Sequence, residues 1–313
     1  MSPSGLTALL LGLTAYPLVQ VSGDKLNIYH QRHQFVWTGH VKTLRGPVKI
    51  DCDQLTASYA GNMEKVTRTV CDGHVEVHEV FNGGERWGKG DHADFDNVSG
   101  VLVVTGAPEA HQAESVFTGS RITYYVGTSD TDVENPVATV LSAGQEKPED
   151  GGGRKSRAPK SSPPPPVPVH IQAAHLHGDD ARHELIWVGH VRATREGVKL
   201  ACDRMTAHYT GNQQSITRTV CHGHVEVHEQ VDGVERWGKG DHADYNNVKG
   251  VLVVTGSPEA HEGKSVFNGT KVTYYVGTTQ MEVQHPVAVM YNDDKEKPLL
   301  PKPKKSPPQG KAP

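Results

Sequence analysis

The chain lacks most of what an enzyme, a membrane anchor or a nucleic-acid binder needs. It holds no G-x-S-x-G elbow, no H-E-x-x-H and no phosphate-cradling loop. "HVEVH" has the wrong order for a metalloprotease, and "GKG" lacks both the later glycine and the helix of a dinucleotide loop. Carboxylates are plentiful, but nothing pairs them in a cleft, so neither catalysis nor a cofactor is expected. Net charge is −4 and no basic stripe carries interleaved aromatics, which sets nucleic acid aside. The apolar run "GLTALLLGLTAY" is too short to span a membrane. No segment sustains an i, i+3, i+4, i+7 stripe for three turns, which excludes a helical domain. Cysteine is scarce, four in 313 residues, and no C-x-x-C spacing suggests zinc.

What is present is a duplication. "RWGKGDHADFDNVSGVLVVTG" (Arg86–Gly106) returns as "RWGKGDHADYNNVKGVLVVTG" (Arg236–Gly256). The same offset pairs "RHQFVWTGHV" with "RHELIWVGHV", "TRTVCDGHVEVHE" with "TRTVCHGHVEVHE", and both copies of "TYYVGT". A period this long is a whole domain, since solenoid repeats are much shorter. "VQV" (Val19–Val21) falls opposite "VHI" (Val169–Ile171), so the first domain begins near Pro17. Residues 1–16 then read as a signal peptide whose basic start is missing. The expected order is domain 1 over 17–142, a Gly/Pro-rich linker over 143–167, domain 2 over 168–292, and a disordered Pro/Lys-rich tail over 293–313.

Within each copy the apolar period is two. Phe35, Trp37, Gly39 and Val41 alternate with polar residues, as do Val48, Ile50 and Cys52. The phase slips after Gln54 to Leu55, Ala57 and Tyr59, which predicts a bulge. Gly73, Val75 and Val77 follow, and Ile122, Tyr124 and Val126 close the series. Turn signals separate the runs at 60–63, 81–84 and 97–100. The expectation is an all-β domain of about eight short strands: sandwich, jelly roll or barrel.

Cys52 and Cys71, like Cys202 and Cys221, share the parity of the inward valines and flank a turn at Gly61-Asn62. That places the members of each pair opposite one another, as a disulfide or as two buried thiols packing as small hydrophobes. Nineteen histidines raise the question of metal. His74 and His78 share a strand face with Glu76, but lie about 13 Å apart by strand rise. His224, Glu226 and His228 repeat the pattern, and His92 and Asp94 share another face. All read as a solvated outer surface, so no metal is expected.

The order of pieces in copy two is distinctive: "PVHIQAAHLHGDDARHELIWVGHV", "VKLACDRMTAHY", "CHGHVEVHEQVDG" and "GKGDHADYNNVKGVLVVTGSPEAHEGKSVFNGTKVTYYV". This order resembles the OstA-like family, over nearly all of each copy. The resemblance implies two elongated, open β-jelly rolls in tandem. It implies a periplasmic bridge carrying lipopolysaccharide acyl chains in its apolar interior towards the outer membrane. Its partners would be other OstA-like jelly rolls, stacked end to end by strand pairing. Export to an oxidising compartment favours the disulfide reading of the cysteines. The groove would be lined by Ile50, Val75, Val77, Phe117, Ile122 and Tyr124, with Leu200, Val225, Val227, Phe267, Val272 and Tyr274. Inward Val and Ala, with few Phe and Leu, leave room for such a groove. The competing reading is a cell-envelope scaffold whose jelly roll is fully packed and whose edge strands hold protein partners without lipid.

Overall fold

The structure is a computed structural model that describes residues 19–46, 48–61, 63, 65–81, 84–112, 114–142, 167–210, 215–231, 233–276 and 280–290. The expected leader, nearly all of the linker and the tail lie outside these residues.

Repeat 1 contributes twelve strands: β1 (Val19–Ser22), β2 (Lys25–Tyr29), β3 (Gln34–Arg45), β4 (Val48–Ala60), β5 (Lys65–Phe81), β6 (Gly84–Asp96), β7 (Val101–Thr105), β8 (Glu109–Gln112), β9 (Ser115–Thr118), β10 (Arg121–Tyr125), β11 (Asp130–Glu134) and β12 (Val137–Ser142). Repeat 2 follows with β13 (Val167–Gln172), β14 (His175–Asp179), β15 (Glu184–Arg195), β16 (Val198–Thr210), β17 (Ser215–Val231), β18 (Val234–Asn246), β19 (Val251–Thr255), β20 (Glu259–Glu262), β21 (Ser265–Asn268), β22 (Lys271–Tyr275), β23 (Gln280–Gln284) and β24 (Val287–Val289). The expected eight short strands per domain are thus twelve. The difference is structural: β3 to β6 are long, and smaller strands extend the sheet at both ends of them.

A line of bulges explains this arrangement. β3 to β6 form an antiparallel meander whose register breaks between Thr38 and Val41, between Asp51 and Gln54, and between Asp72 and Val75. Gly39 and Gly73 adopt φ +77°, each followed by a histidine at φ 46°. Positive φ is cheap for glycine, and histidine tolerates it better than β-branched residues do. The first aspartate of each neighbouring strand's corner seals the turn: Asp24 bonds His40 at 3.0 Å and Asp53 bonds His74 at 2.8 Å. The repeated "GHV" is therefore a corner. The bulge expected after Gln54 lies instead at Cys52-Asp53, just before it.

Beyond that line the strands part into two leaves. On one side β6 pairs with β7, which continues to β10 and β11. On the other β6 pairs with β8, which continues to β9 and β12. At the start of the repeat β2 joins the first leaf and β1 the second, both on β3. The result is an open jelly roll, and repeat 2 repeats it.

The two jelly rolls are joined leaf to leaf. β11 pairs antiparallel with β14, and β12 with β13, so the described strands form one 24-stranded sheet. Apolar packing is continuous through the junction: Ile122, Val133 and Val140 share a buried cluster with Ile171, Leu176 and Trp187. Repeat 1 keeps a second cluster around Val41, Leu55 and Val75.

Candidate functional site

Between the leaves of repeat 1 lies a cavity of about 790 Å³, within the range of about 300–1,000 Å³ typical of ligand sites. One leaf supplies Phe35, Trp37, Leu102, Val104, Ile122 and Tyr124, and the other supplies Ile50, Val77 and Phe117. The alternation of side chains along each strand aims them inward, and register stacks them: Ile50 faces Val77 and Ile122 faces both Val104 and Val133. The lining crosses the junction to Leu176, Gly178, Leu185 and Tyr209 of repeat 2. Gly178 lies opposite Thr131, and both border the cavity where the repeats meet.

The mouth is polar. Trp87 stacks on His111 with ring centroids 3.6 Å apart and planes at 9°. Glu109 hydrogen-bonds His111 and lies 3.0 Å from the Lys89 ammonium, and these contacts, His111 first, hold its carboxyl below the ordinary value. Repeat 2 has the same arrangement in Trp237, His261, Glu259 and Lys239, with centroids 3.7 Å apart. Arg86, also on the lining, donates from Nη2 to Asp180 of repeat 2 at 3.3 Å.

Of the residues expected to line a groove, Ile50, Val77, Phe117, Ile122 and Tyr124 meet around this cavity. Val75 does not line it; it is buried in the cluster with Val41, Cys52 and Leu55. In repeat 2, Val225 and Val272 are buried core, while Leu200, Val227 and Phe267 are partly buried against that core. Tyr274 donates its hydroxyl to Glu229 at 2.9 Å. Sequence reasoning missed Arg86, Trp87, Lys89, Glu109 and His111, although "RWGKG" is identical in both copies. It also missed the lining from repeat 2, because each copy was treated as a closed unit.

The cysteines expected to pair, Cys52 with Cys71 and Cys202 with Cys221, stand in the structure as buried thiols. The bulge sets their register. Cys71 lies opposite Leu55, whereas Cys52 sits in the bulge, facing Val41 on the other side and directing its Sγ to Gln54 O at 3.2 Å. The two sulfurs remain neighbours: hydrogen bonding to Cys52, then burial, pushes the Cys71 thiol well up, and Cys202 does the same to Cys221. Among the described residues no group of three His, Cys, Asp or Glu is placed to hold a metal ion. His74 is engaged by Asp53, and His78 lies near Glu76 and Glu85. No helix among the described residues is long and apolar enough to cross a membrane.

The family described as "LptA/(LptD N-terminal domain) LPS transport protein" matches residues 20–130 and again 170–280. The chain belongs to that family, and carries its domain twice. Among solved structures it is similar to LptH of Pseudomonas aeruginosa, the LptA-homologous periplasmic component of a lipopolysaccharide transport device. That likeness has 16% identity and TM-score 0.38, and covers 40% of this chain and 96% of that one. No curated protein matches the chain.

Proposed function

We propose that this protein carries lipopolysaccharide through the periplasm as one segment of a bridge to the outer membrane, with the acyl chains in the cavity between the leaves. The observation that carries the reading is the apolar cavity of about 790 Å³ between the leaves of repeat 1, whose lining reaches Leu176 and Leu185 of repeat 2. Burying some ten methylenes is worth roughly 8 kcal/mol before association costs. The head group would stay at the polar mouth beside Lys89 and Arg86. The edges β1–β2 and β23–β24, which pair with no further strand among the described residues, suit strand addition by neighbouring jelly rolls: Leu26 is 45% exposed and Val287 68%.

The test is mass spectrometry of lipid that co-purifies with the protein from membranes, for the parent and for Ile50→Asp and Tyr124→Asp. An unpaired buried charge is far costlier than a lost methylene, so both variants should lose the lipid while circular dichroism stays unchanged. His74→Ala, outside the cavity, should keep it. Folded cavity variants that retain lipopolysaccharide would remove the carrier reading.

A further inference from the structure

The joint inside the chain shows what a mated pair of ends requires, and the two outer ends can be compared with it position by position. Three side-chain pairs cross the inner joint. Asp132 meets His177 at 2.7 Å, Arg86 meets Asp180 at 3.3 Å, and Thr139 meets His170 at 3.0 Å. Val133 faces Leu176 beneath them, both buried.

The offset of the repeats gives the outer counterparts. The C-terminal end keeps its half of two of the three pairs, with Glu282 for Asp132 and Arg236 for Arg86, and it keeps Val283 for Val133. The N-terminal end keeps Leu26 for Leu176 but loses the complementary halves: Asn27 stands for His177 and His30 for Asp180. A second copy docking on the C-terminal end would therefore bring His30, an imidazole in place of a carboxylate, to Arg236. The third pair survives at neither end, where Val289 and Gln20 stand.

Arg236 is held in an unfinished pose. Glu262, which replaces Gln112, takes its Nη2 at 2.7 Å and the Tyr274 hydroxyl lies beside the guanidinium, while among the described residues Nε and Nη1 are buried without a hydrogen-bond partner. A dry charged donor is costly, so this pose gives way once an acceptor arrives in front of it. Arg86 shows the alternative, reaching forward to the next repeat's carboxylate.

We propose that the C-terminal end of this chain receives a different protein with a jelly-roll edge, one that presents a carboxylate to Arg236 and a histidine or lysine to Glu282. The chain's own N-terminal end offers Asn27 and His30 there, which lack the charge complementarity of His177 and Asp180. The inference rests on reading the chain as a bridge segment, and it identifies the chemistry of the neighbour. Charge complementarity of this kind selects partners more than it adds affinity.

The experiment transplants the inner code. Sedimentation of the full chain over a concentration series should show the parent monomeric. Asn27→His with His30→Asp in one chain should self-associate head to tail at least about tenfold more tightly. Adding Arg236→Ala to that chain should erase the gain; Glu282→Ala should reduce it, and serves if the arginine variant fails to fold. A parent that associates as tightly as the grafted chain, or a folded grafted chain that gains nothing, overturns the proposal. Lipid co-purification is a separate readout: a chain without lipid that still shows the grafted association loses its cargo and keeps this docking code.

Discussion

The Cβ that Gly73 lacks would fall 2.3 Å from Oδ2 of Asp53, on a backbone already at φ +77°. Gly223 stands in the same relation to Asp203, at 2.2 Å. Gly73→Ala would therefore add left-handed strain of about 1–3 kcal/mol to a clash with the side chain that fixes the corner. A clear drop in thermal midpoint is expected. Gly61→Ala, where nothing lies within 4 Å, should cost less despite φ +63°. Equal midpoints for the two variants would refute the corner account.

The hydrogen bond from Asp53, then its charge, raises His74 above the ordinary histidine value of 6.5, and Asp203 does the same for His224. A raised folded-state value means that the pair's contribution to stability is complete below pH 6.5 and fades as pH climbs through the higher folded value. Both side chains are solvent-exposed, so the change in stability should be small. NMR titration should give His74 and His224 midpoints above 6.5, and Asp53→Asn should return His74 to it. A midpoint at or below 6.5 in the parent contradicts the contact.

The buried thiols, with Cys71 and Cys221 pushed up, should resist alkylation in the folded reduced protein, and all four should react after unfolding. Because the sulfurs are neighbours within each repeat, an oxidant is expected to join Cys52 to Cys71 and Cys202 to Cys221 only. Non-reducing peptide mapping that found a link between repeats would break this expectation.

Leu176 sits 4% exposed at the junction, opposite Val133 at 2%. Leu176→Ala should cost about 2–5 kcal/mol, the usual penalty for emptying a packed leucine site. Since the cluster is shared by both repeats, the parent should unfold in one calorimetric transition. Leu176→Asp should split it in two. Two transitions in the parent would mean that the shared cluster does not couple the repeats.

Much of this was legible in the sequence, for identifiable reasons. Alternation of Phe35, Trp37, Ile50 and Val77 gave the strand character and most of one cavity wall, because side-chain period depends only on local geometry. Val75 was placed on the same wall, since it shares parity with Val77. The Gly73-His74 corner lies just before it and packs it into the cluster instead. The cysteine register failed at the same feature. A bulge was foreseen, but its position at Cys52-Asp53 was not, and one displaced residue changes which side chains oppose. The Arg86–Asp180 contact was beyond reach, because it depends on two strand edges ninety-odd residues apart meeting at a junction that periodicity does not encode.

Residues Ser142 and Val167 are cross-strand partners, the last pair of a ladder that begins at Val137 and Gln172. Topologically, β12 and β13 are thus the arms of a hairpin, and residues 143–166 leave and re-enter at a single point. Cleavage within that segment would leave every hydrogen bond of the joint available and change only the molecularity, turning a unimolecular closure into an encounter between two chains. Covalent fusion holds the two edges at an effective concentration that separate units reach only when crowded. The order of the two units is then set at translation, and no free unit can occupy the inner place.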